Sequence, residues 1–428
     1  MVQQTQNDVN LDNITTNDFL KKGYIWGWLG AFLGYLFDYY EVALLSIIIV
    51  PISRLYSWPA EYSVLALGTL LLFLAIGGVS AGYLADRKLG RRAVIIISIL
   101  VYSIATLARA GTFNFIYFLI FVAIAGWGMG GEFGVGQSLI TEIAPRNRRG
   151  FWSGAFYGSG GFGIILAATM GIFVLPVVGF RWVFVISGLF GLVIFGILRI
   201  MPESDIWQKK KTEIKSAQET AATKSTMSKS PYLNFLFFGL FFALLALGTM
   251  QFFMYYLVNT DLPLYLTSKG LTVTHASYFI FVIGSGVTAG SFFGAYLSDV
   301  IGRRATGTVG AVIVAVFALI LYSMGHNFLV SPYVLIPFFF LGLGFATPAQ
   351  VLGVFFSEKF PTMIRATATS ATLQIARGLS FFPPFVALYL YSLTKSYSDI
   401  FLVGMIIALV EAAYFWAFKE TKAANVNY

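Results

Sequence analysis

The chain has no cysteine, which excludes disulfides and thiolate metal sites. Its two histidines, His275 and His326, stand far apart near the predicted outer ends of helices and give no basis for a zinc site or a histidine-centred triad. The glycine-rich run at 126–136 lacks the lysine of a phosphate-binding loop, so direct drive by ATP has no support. No cluster of nucleophiles or metal ligands points to an enzyme, and the polar linker and tails are too short for a signalling domain. No cofactor and no metal are expected. Charge is scarce as well: Asp, Glu, Lys and Arg make up 11% of the residues, against roughly a quarter in soluble proteins.

What fills the chain is apolar. Of 428 residues, 58% are hydrophobic and 17% aromatic, and so much apolar surface implies lipid as the solvent. The net charge of +9 is explained by placement, which excludes a nucleic-acid partner. Basic residues gather between alternate apolar runs, at Lys21 and Lys22, 87–92, 146–149, 199–229, Arg303 and Arg304, Lys359 and Arg365, and Lys419 and Lys422. The other side holds only Arg54, Arg109, Arg181, Lys269 and Lys395. The positive-inside rule then places both termini in the cytoplasm and the protein in the plasma membrane.

A span needs about 20 apolar residues to cross roughly 30 Å of hydrocarbon. Twelve runs satisfy this, at 23–50, 62–85, 93–111, 114–141, 152–177, 182–201, 233–258, 275–298, 305–325, 332–357, 367–394 and 399–418. They are too long and too evenly apolar for barrel strands, so an all-α membrane fold is predicted. The organisation read from them is an N-terminal tail (1–22), a six-helix bundle (23–201), a solvated linker (202–231), a second six-helix bundle (232–418) and a tail (419–428).

The two bundles repeat each other. Gly82-Tyr83-Leu84-Ala85-Asp86-Arg87-Lys88-Leu89-Gly90-Arg91-Arg92 follows the second span, and Ala295-Tyr296-Leu297-Ser298-Asp299-Val300-Ile301-Gly302-Arg303-Arg304 follows the eighth. Glu142-Ile143-Ala144-Pro145 with Arg149 follows the fourth, and Glu358-Lys359-Phe360-Pro361 with Arg365 the tenth. The same two motifs recur in the same order at equivalent helix ends.

These motifs resemble the major facilitator superfamily, whose most specific signature is the Gly-x-x-x-Asp…Gly-Arg-Arg loop, here one residue longer in the first copy because of Leu89. The resemblance spans essentially the whole chain. It implies two pseudo-symmetric bundles of six helices with a substrate site between them at mid-membrane. The run Gly126-Trp127-Gly128-Met129-Gly130-Gly131-Glu132-Phe133-Gly134, with Pro202-Glu203-Ser204-Asp205-Ile206-Trp207, is similar to proton-coupled carboxylate carriers of the lactate, sialate and metabolite symporter groups. The sugar porter group shares Pro202-Glu203-Ser204 and a tail like Lys419-Glu420-Thr421-Lys422. That group usually carries a glutamine pair in span seven, where this chain has Met250-Gln251. Val122 stands where many relatives place an arginine.

Ionised groups are costly in hydrocarbon and mark cavities or pairs. Asp38 and Glu41 lie three residues apart on one face of span one, beside a stripe of Gly27, Gly30 and Gly34. Asp38 is a candidate for proton exchange, with Glu41 tuning it or lining its path. Arg377, in span eleven beside Gln374 and Gly378, needs an anionic partner, either a carboxylate of the protein or the substrate's own. Glu132 is a further candidate among close-packing glycines, and Glu411 in span twelve a weaker one. Gln251 and Tyr255 at the end of span seven, with Tyr256, complete the substrate set, and Pro263 marks a break there. Most other aromatic residues are expected to face lipid or the membrane interface. Asp86, Arg91, Glu142, Arg149, Asp299, Arg303, Glu358 and Arg365 are read as gate residues. The expected function is proton-coupled symport of a small organic carboxylate by a monomer, the alternative a carrier of sugars or other neutral solutes.

Overall fold

Backbone amides in lipid have no water to bond, so each apolar run satisfies them within a helix. The computed structural model describes residues 23–144, 149–199, 203, 235–260, 262–325, 333–360 and 365–421, and among these no strand occurs. The first half contains α1 (Tyr24–Tyr56), α2 (Ala60–Leu84), α3 (Arg91–Arg109), α4 (Phe115–Ile143), α5 (Arg149–Thr169) and α6 (Leu175–Leu198). The second contains α7 (Phe235–Asn259), the short α8 (Leu262–Ser268), α9 (Val273–Ile301), α10 (Arg303–Met324), α11 (Leu335–Lys359), α12 (Arg365–Gly378), α13 (Pro383–Thr394) and α14 (Ser398–Tyr414).

Eleven helical segments of the described chain are long and apolar enough to cross a membrane. One of them, Phe151–Leu198, has 48 residues, a length of about 72 Å at 1.5 Å per residue. That is twice the bilayer core. It is interrupted by a widened turn at Met170–Val174 and by Gly179, whose φ of 75° ends one helix and starts the next. The segment therefore supplies two crossings, for a total of twelve. The run predicted as one span at 367–394 is two helices, because Pro383 and Pro384 lack amide donors and a short turn at Leu379–Phe381 separates α12 from α13. Span seven stops at Asn259, and Pro263 falls in the first turn of α8, where its missing N–H costs nothing. The linker apart from Glu203, residue Asp261 and both chain ends lie outside the described residues.

Glycine sets how closely the helices approach. A methyl on Gly130 would sit 2.1 Å from the Leu74 carbonyl oxygen, so the glycine stripe of α4 rests directly on the α2 backbone. Two seams join the halves. In one, α5 lies along α9, and a methyl on Gly161 would meet Thr288 Oγ1 at 2.2 Å. In the other, α12 lies along α2 and α4, with Gly78 under Gln374 and Gly134 under Ser370. Side chains at α1, α7, α11 and α12 meet in the middle.

Replacing Gly130 with Val is expected to cost about 1–3 kcal/mol through overpacking and to lower the detergent melting temperature. Gly196→Ala, which points into open space, is expected to leave it unchanged. Equal melting of the two variants would contradict the packing described.

Candidate functional site

Two buried charges come from opposite halves and meet. Asp38, in the middle of α1, and Arg377, at the last turn of α12, are 0% and 1% exposed. The guanidinium donates from Nη1 to Asp38 Oδ2 at 2.7 Å and from Nη2 to Oδ1 at 2.9 Å. This bidentate geometry is the strong form of the pair. Its Nε donates to the Tyr256 hydroxyl of α7 at 2.9 Å, and its carbon lies 5.0 Å from the centre of the Tyr39 ring. Gly378 makes the placement possible, since a methyl there would lie 2.2 Å from the Ala75 side chain of α2. Each of the three guanidinium nitrogens of Arg377 thereby makes a hydrogen bond.

Beside the pair lies a cavity of about 20 Å³, room for one water molecule. Tyr35, Tyr39, Tyr157, Gln251, Tyr255 and Phe345 are among its walls, drawn from both halves. Gln251 donates to the Phe345 carbonyl at 2.8 Å, which leaves its own amide oxygen without a partner among the described residues. Several tyrosines, most of which the sequence did not single out, lie inside the fold. Tyr35, Tyr39, Tyr40, Tyr102, Tyr157 and Tyr256 are all buried, because their rings fill the space between helices that glycines hold open. Of this wall the sequence reading included only Gln251 and Tyr255, with Tyr256 as their companion. A larger cavity of about 160 Å³ lies toward the end that bears the Gly-Arg-Arg motifs, between Gly78, Gly82, Gly134 and Ser370.

Gln374, one turn before Arg377, does not line the small cavity. It donates to the Gly130 carbonyl at 2.6 Å and so ties α12 to α4. Glu132 is fully buried, with both carboxylate oxygens unpartnered among the described residues. It occupies the gap left by Gly34, where a methyl would lie 1.9 Å from Oε2. Glu411 is likewise buried and unpartnered in α14.

Arg109, counted in the sequence only among the charges of the other side and within the span 93–111, is 0% exposed and forms an ion pair with Glu41, also 0% exposed. It donates to Thr106 Oγ1 at 2.5 Å and packs 5.0 Å from the Phe184 ring centre. Glu41 is therefore held inside the first half by α3 and takes no part in the Asp38–Arg377 contact. The signal available was a single arginine at the apolar end of span three.

At the motif end, Arg303 donates to Asp299 Oδ1 at 3.0 Å and to Glu358 Oε1 at 3.5 Å, and Thr421 Oγ1 donates to Glu358 Oε2 at 2.5 Å. Arg91, its counterpart, donates to the Ala85 carbonyl at 3.1 Å. The side chains of Asp86, Glu142, Arg149 and Arg365 lie outside the described residues. Two further glutamates were missed as working residues. Glu203 accepts from the backbone N–H groups of Arg91 and Arg92, and Glu420 from those of Arg303 and Arg304. Each caps the helix that begins after a motif glycine, Gly90 with φ 93° or Gly302 with φ 94°. Burial pushes the Glu420 carboxyl up, but these N–H donors, Thr421 N–H and the Arg304 charge outweigh it and hold the group below the usual range. Among the described residues no group of three His, Cys, Asp or Glu side chains converges as a metal site.

The profile of the Major Facilitator Superfamily matches residues 31–383. The chain belongs to this superfamily. This facilitator is 27% identical over 418 residues to the niacin transporter of Acinetobacter baylyi, covering 89% of this chain and 90% of that protein. It is 28% identical over 353 residues to the cis,cis-muconate transport protein of the same organism, with 82% and 83% covered. Similarity to the sialic acid transporter of Escherichia coli is 26% over 364 residues, with 84% and 85% covered. A crystal structure of a D-xylose-proton symporter superposes with a TM-score of 0.74 at 20% identity, covering 95% of this chain and all of that one, which shows the shared fold. The chain is a multi-pass membrane transporter of small molecules, and not an enzyme.

Two outcomes follow for this facilitator. Glu41→Gln leaves Arg109 buried without its counter-charge and is expected to cost about 3–5 kcal/mol, whereas Glu41→Leu with Arg109→Met is expected to recover most of it. Thermal unfolding in detergent of single and double variants measures this, and additive losses would remove the pair. The second outcome concerns pH. Because the folded-state value of Glu420 is lowered, its stabilisation is fully present above the ordinary Glu value of about 4.3 and is lost as pH falls through the lowered value. The melting difference between wild type and Glu420→Gln is expected to be constant down to that pH and to shrink below it.

Proposed function

We propose that this transporter is a proton-coupled symporter of a small organic carboxylate that works by alternating access. The bidentate Asp38–Arg377 pair across the two halves carries the reading. Breaking such a pair by removing one partner is strongly unfavourable, so the halves separate only when each charge is otherwise satisfied. A proton on Asp38 cancels its charge, and a substrate carboxylate takes its place on Arg377 with the same two-toothed geometry. Loading both species permits rocking, and releasing both restores the pair. Tyr35, Tyr39, Tyr157 and Tyr255 offer flat faces to an unsaturated or aromatic acid, in keeping with the niacin and muconate named for two relatives.

The motif end faces the cytoplasm in this reading, with both termini inside and the protein in the plasma membrane. There Arg303 with Asp299 and Glu358, and Arg91, Asp86, Glu142, Arg149 and Arg365 at the related positions, form the gate. Exposed pairs of this kind contribute about 0–1 kcal/mol each, so they bias the two states only as a network. Gln251 favours a second reading, since its unpartnered amide oxygen beside the cavity suits a hydroxyl donor on a neutral solute.

Uptake into proteoliposomes in competition with niacin, cis,cis-muconate, sialic acid and xylose separates the two. An inward proton gradient is expected to drive accumulation of an acid. Asp38→Asn is expected to abolish that accumulation, and Arg377→Gln to weaken anion binding by about 10- to 100-fold, as lost charge-assisted hydrogen bonds do. Gradient-independent uptake by wild type, or unaltered anion affinity in Arg377→Gln, would refute the symport reading.

A further inference from the structure

The buried charges around the site do not balance. Asp38 is matched by Arg377, and Glu41 by Arg109. Glu132 has no cationic partner among the described residues, and both of its oxygens lack any hydrogen bond there. Among the described residues the groups that bear on it are the Asp38 carboxylate of α1 and the neutral Tyr102 phenol of α3, and neither supplies a positive charge. Arg377 of α12 is already bonded through each of its three nitrogens, to Asp38 and Tyr256.

Its depth is informative. Gly27 of α1 packs against Ile143 and Leu139 at the far end of α4, so α1 begins at the motif end. Glu132 stands against Gly34, one helical turn nearer that end than Asp38, or about 6 Å. Gly134, two residues further along α4, forms the wall of the 160 Å³ cavity. Glu132 thus lies in depth between the ion pair and the space that opens toward the motif end.

We propose that Glu132 is a second proton carrier, which passes the coupled proton between Asp38 and the motif-end cavity. This rests on the proton-coupled reading above. In the closed state Glu132 holds a resident proton and is neutral, as a buried carboxyl without a counter-charge must be. When the motif end opens and water reaches Glu132, its O–H bond breaks and the proton leaves to solvent. The resulting carboxylate accepts the proton of Asp38. The Asp38 carboxylate recaptures Arg377 and displaces the substrate anion. One proton crosses per cycle, and Glu132 begins and ends protonated. Gly34 is the residue that makes space for this carboxyl, which accounts for a glycine there independently of helix packing.

The experiment has two readouts on the full-length protein. Infrared spectra of wild type at neutral pH are expected to show the C=O absorption of buried protonated carboxyls. Glu132→Gln is expected to remove one component and Glu411→Gln another. A spectrum unchanged by Glu132→Gln would overturn the proposal without reference to any substrate. In proteoliposomes, with niacin and cis,cis-muconate as probes, Glu132→Gln is expected to retain counterflow exchange while gradient-driven uptake falls at least about tenfold. Glu132→Asp is expected to restore part of it. Accumulation by Glu132→Gln equal to wild type would overturn the relay, as would loss of counterflow in a variant with wild-type melting. Gradient-insensitive uptake by wild type itself would instead count against the symport reading.

Discussion

An ion in hydrocarbon must meet a counter-charge or give up its charge, and the interior of this transporter is arranged around that requirement. Two ion pairs satisfy it in different ways. Glu41 and Arg109 both belong to the first half, so their contact travels with that half whichever way it rocks. Asp38 and Arg377 belong to different halves, so theirs is strained by the same movement. The first pair holds helices together. The second makes separation of its helices costly, because parting leaves two bare charges unless other partners replace the contact, which in the proposed cycle are a proton and an anion. In the proposed cycle, reorientation with a proton but no anion would dissipate the gradient, and it is penalised because Arg377 would be left without a counter-charge.

The sequence revealed much of this because charge in an apolar run stands out. Asp38, Glu132 and Arg377 are visible for that reason, and the duplicated motifs alone expose the two-half organisation. Arg109 was hidden by its position. A basic residue at the end of an apolar run reads as a flanking loop charge, and only the fold shows a carboxylate 68 positions away at its own depth. The tyrosine wall was hidden for another reason. In a chain with 43 phenylalanines and 23 tyrosines, a ring that faces lipid and a ring that faces a cavity have the same local pattern. The division of span eleven was announced by Gly378, Pro383 and Pro384, but its consequence, an arginine held on the last turn before the break, required the partner helix.

The repeat between halves extends further than the motifs. Glu203 and Glu420 follow the last helix of their halves and cap α3 and α10, each immediately after a glycine in nearly the same left-handed conformation. In sequence they belong to a linker and to a tail, regions that composition alone assigns to solvent. In the structure each links the last helix of its half to the third membrane-crossing helix. Arg92 and Arg304 reinforce this by donating to the carbonyls of Arg199 and Trp416. Clamps placed symmetrically within each half favour motion of the halves as units.

What then sets the resistance to that motion is the set of bonds that cross between halves, and α12 supplies two of them one turn apart. Gln374 holds the Gly130 carbonyl, and Arg377 holds Asp38. The first is a neutral hydrogen bond, which typically contributes about 1 kcal/mol net and is readily exchanged for water. The second is ionic, bidentate and shielded from water, and its loss is severalfold more costly. Both must be released together because they lie on one short, stiff helix. The ionic member therefore dominates the barrier, and in the proposed cycle what binds at Arg377 and Asp38 counts for far more than what happens along the rest of the seam.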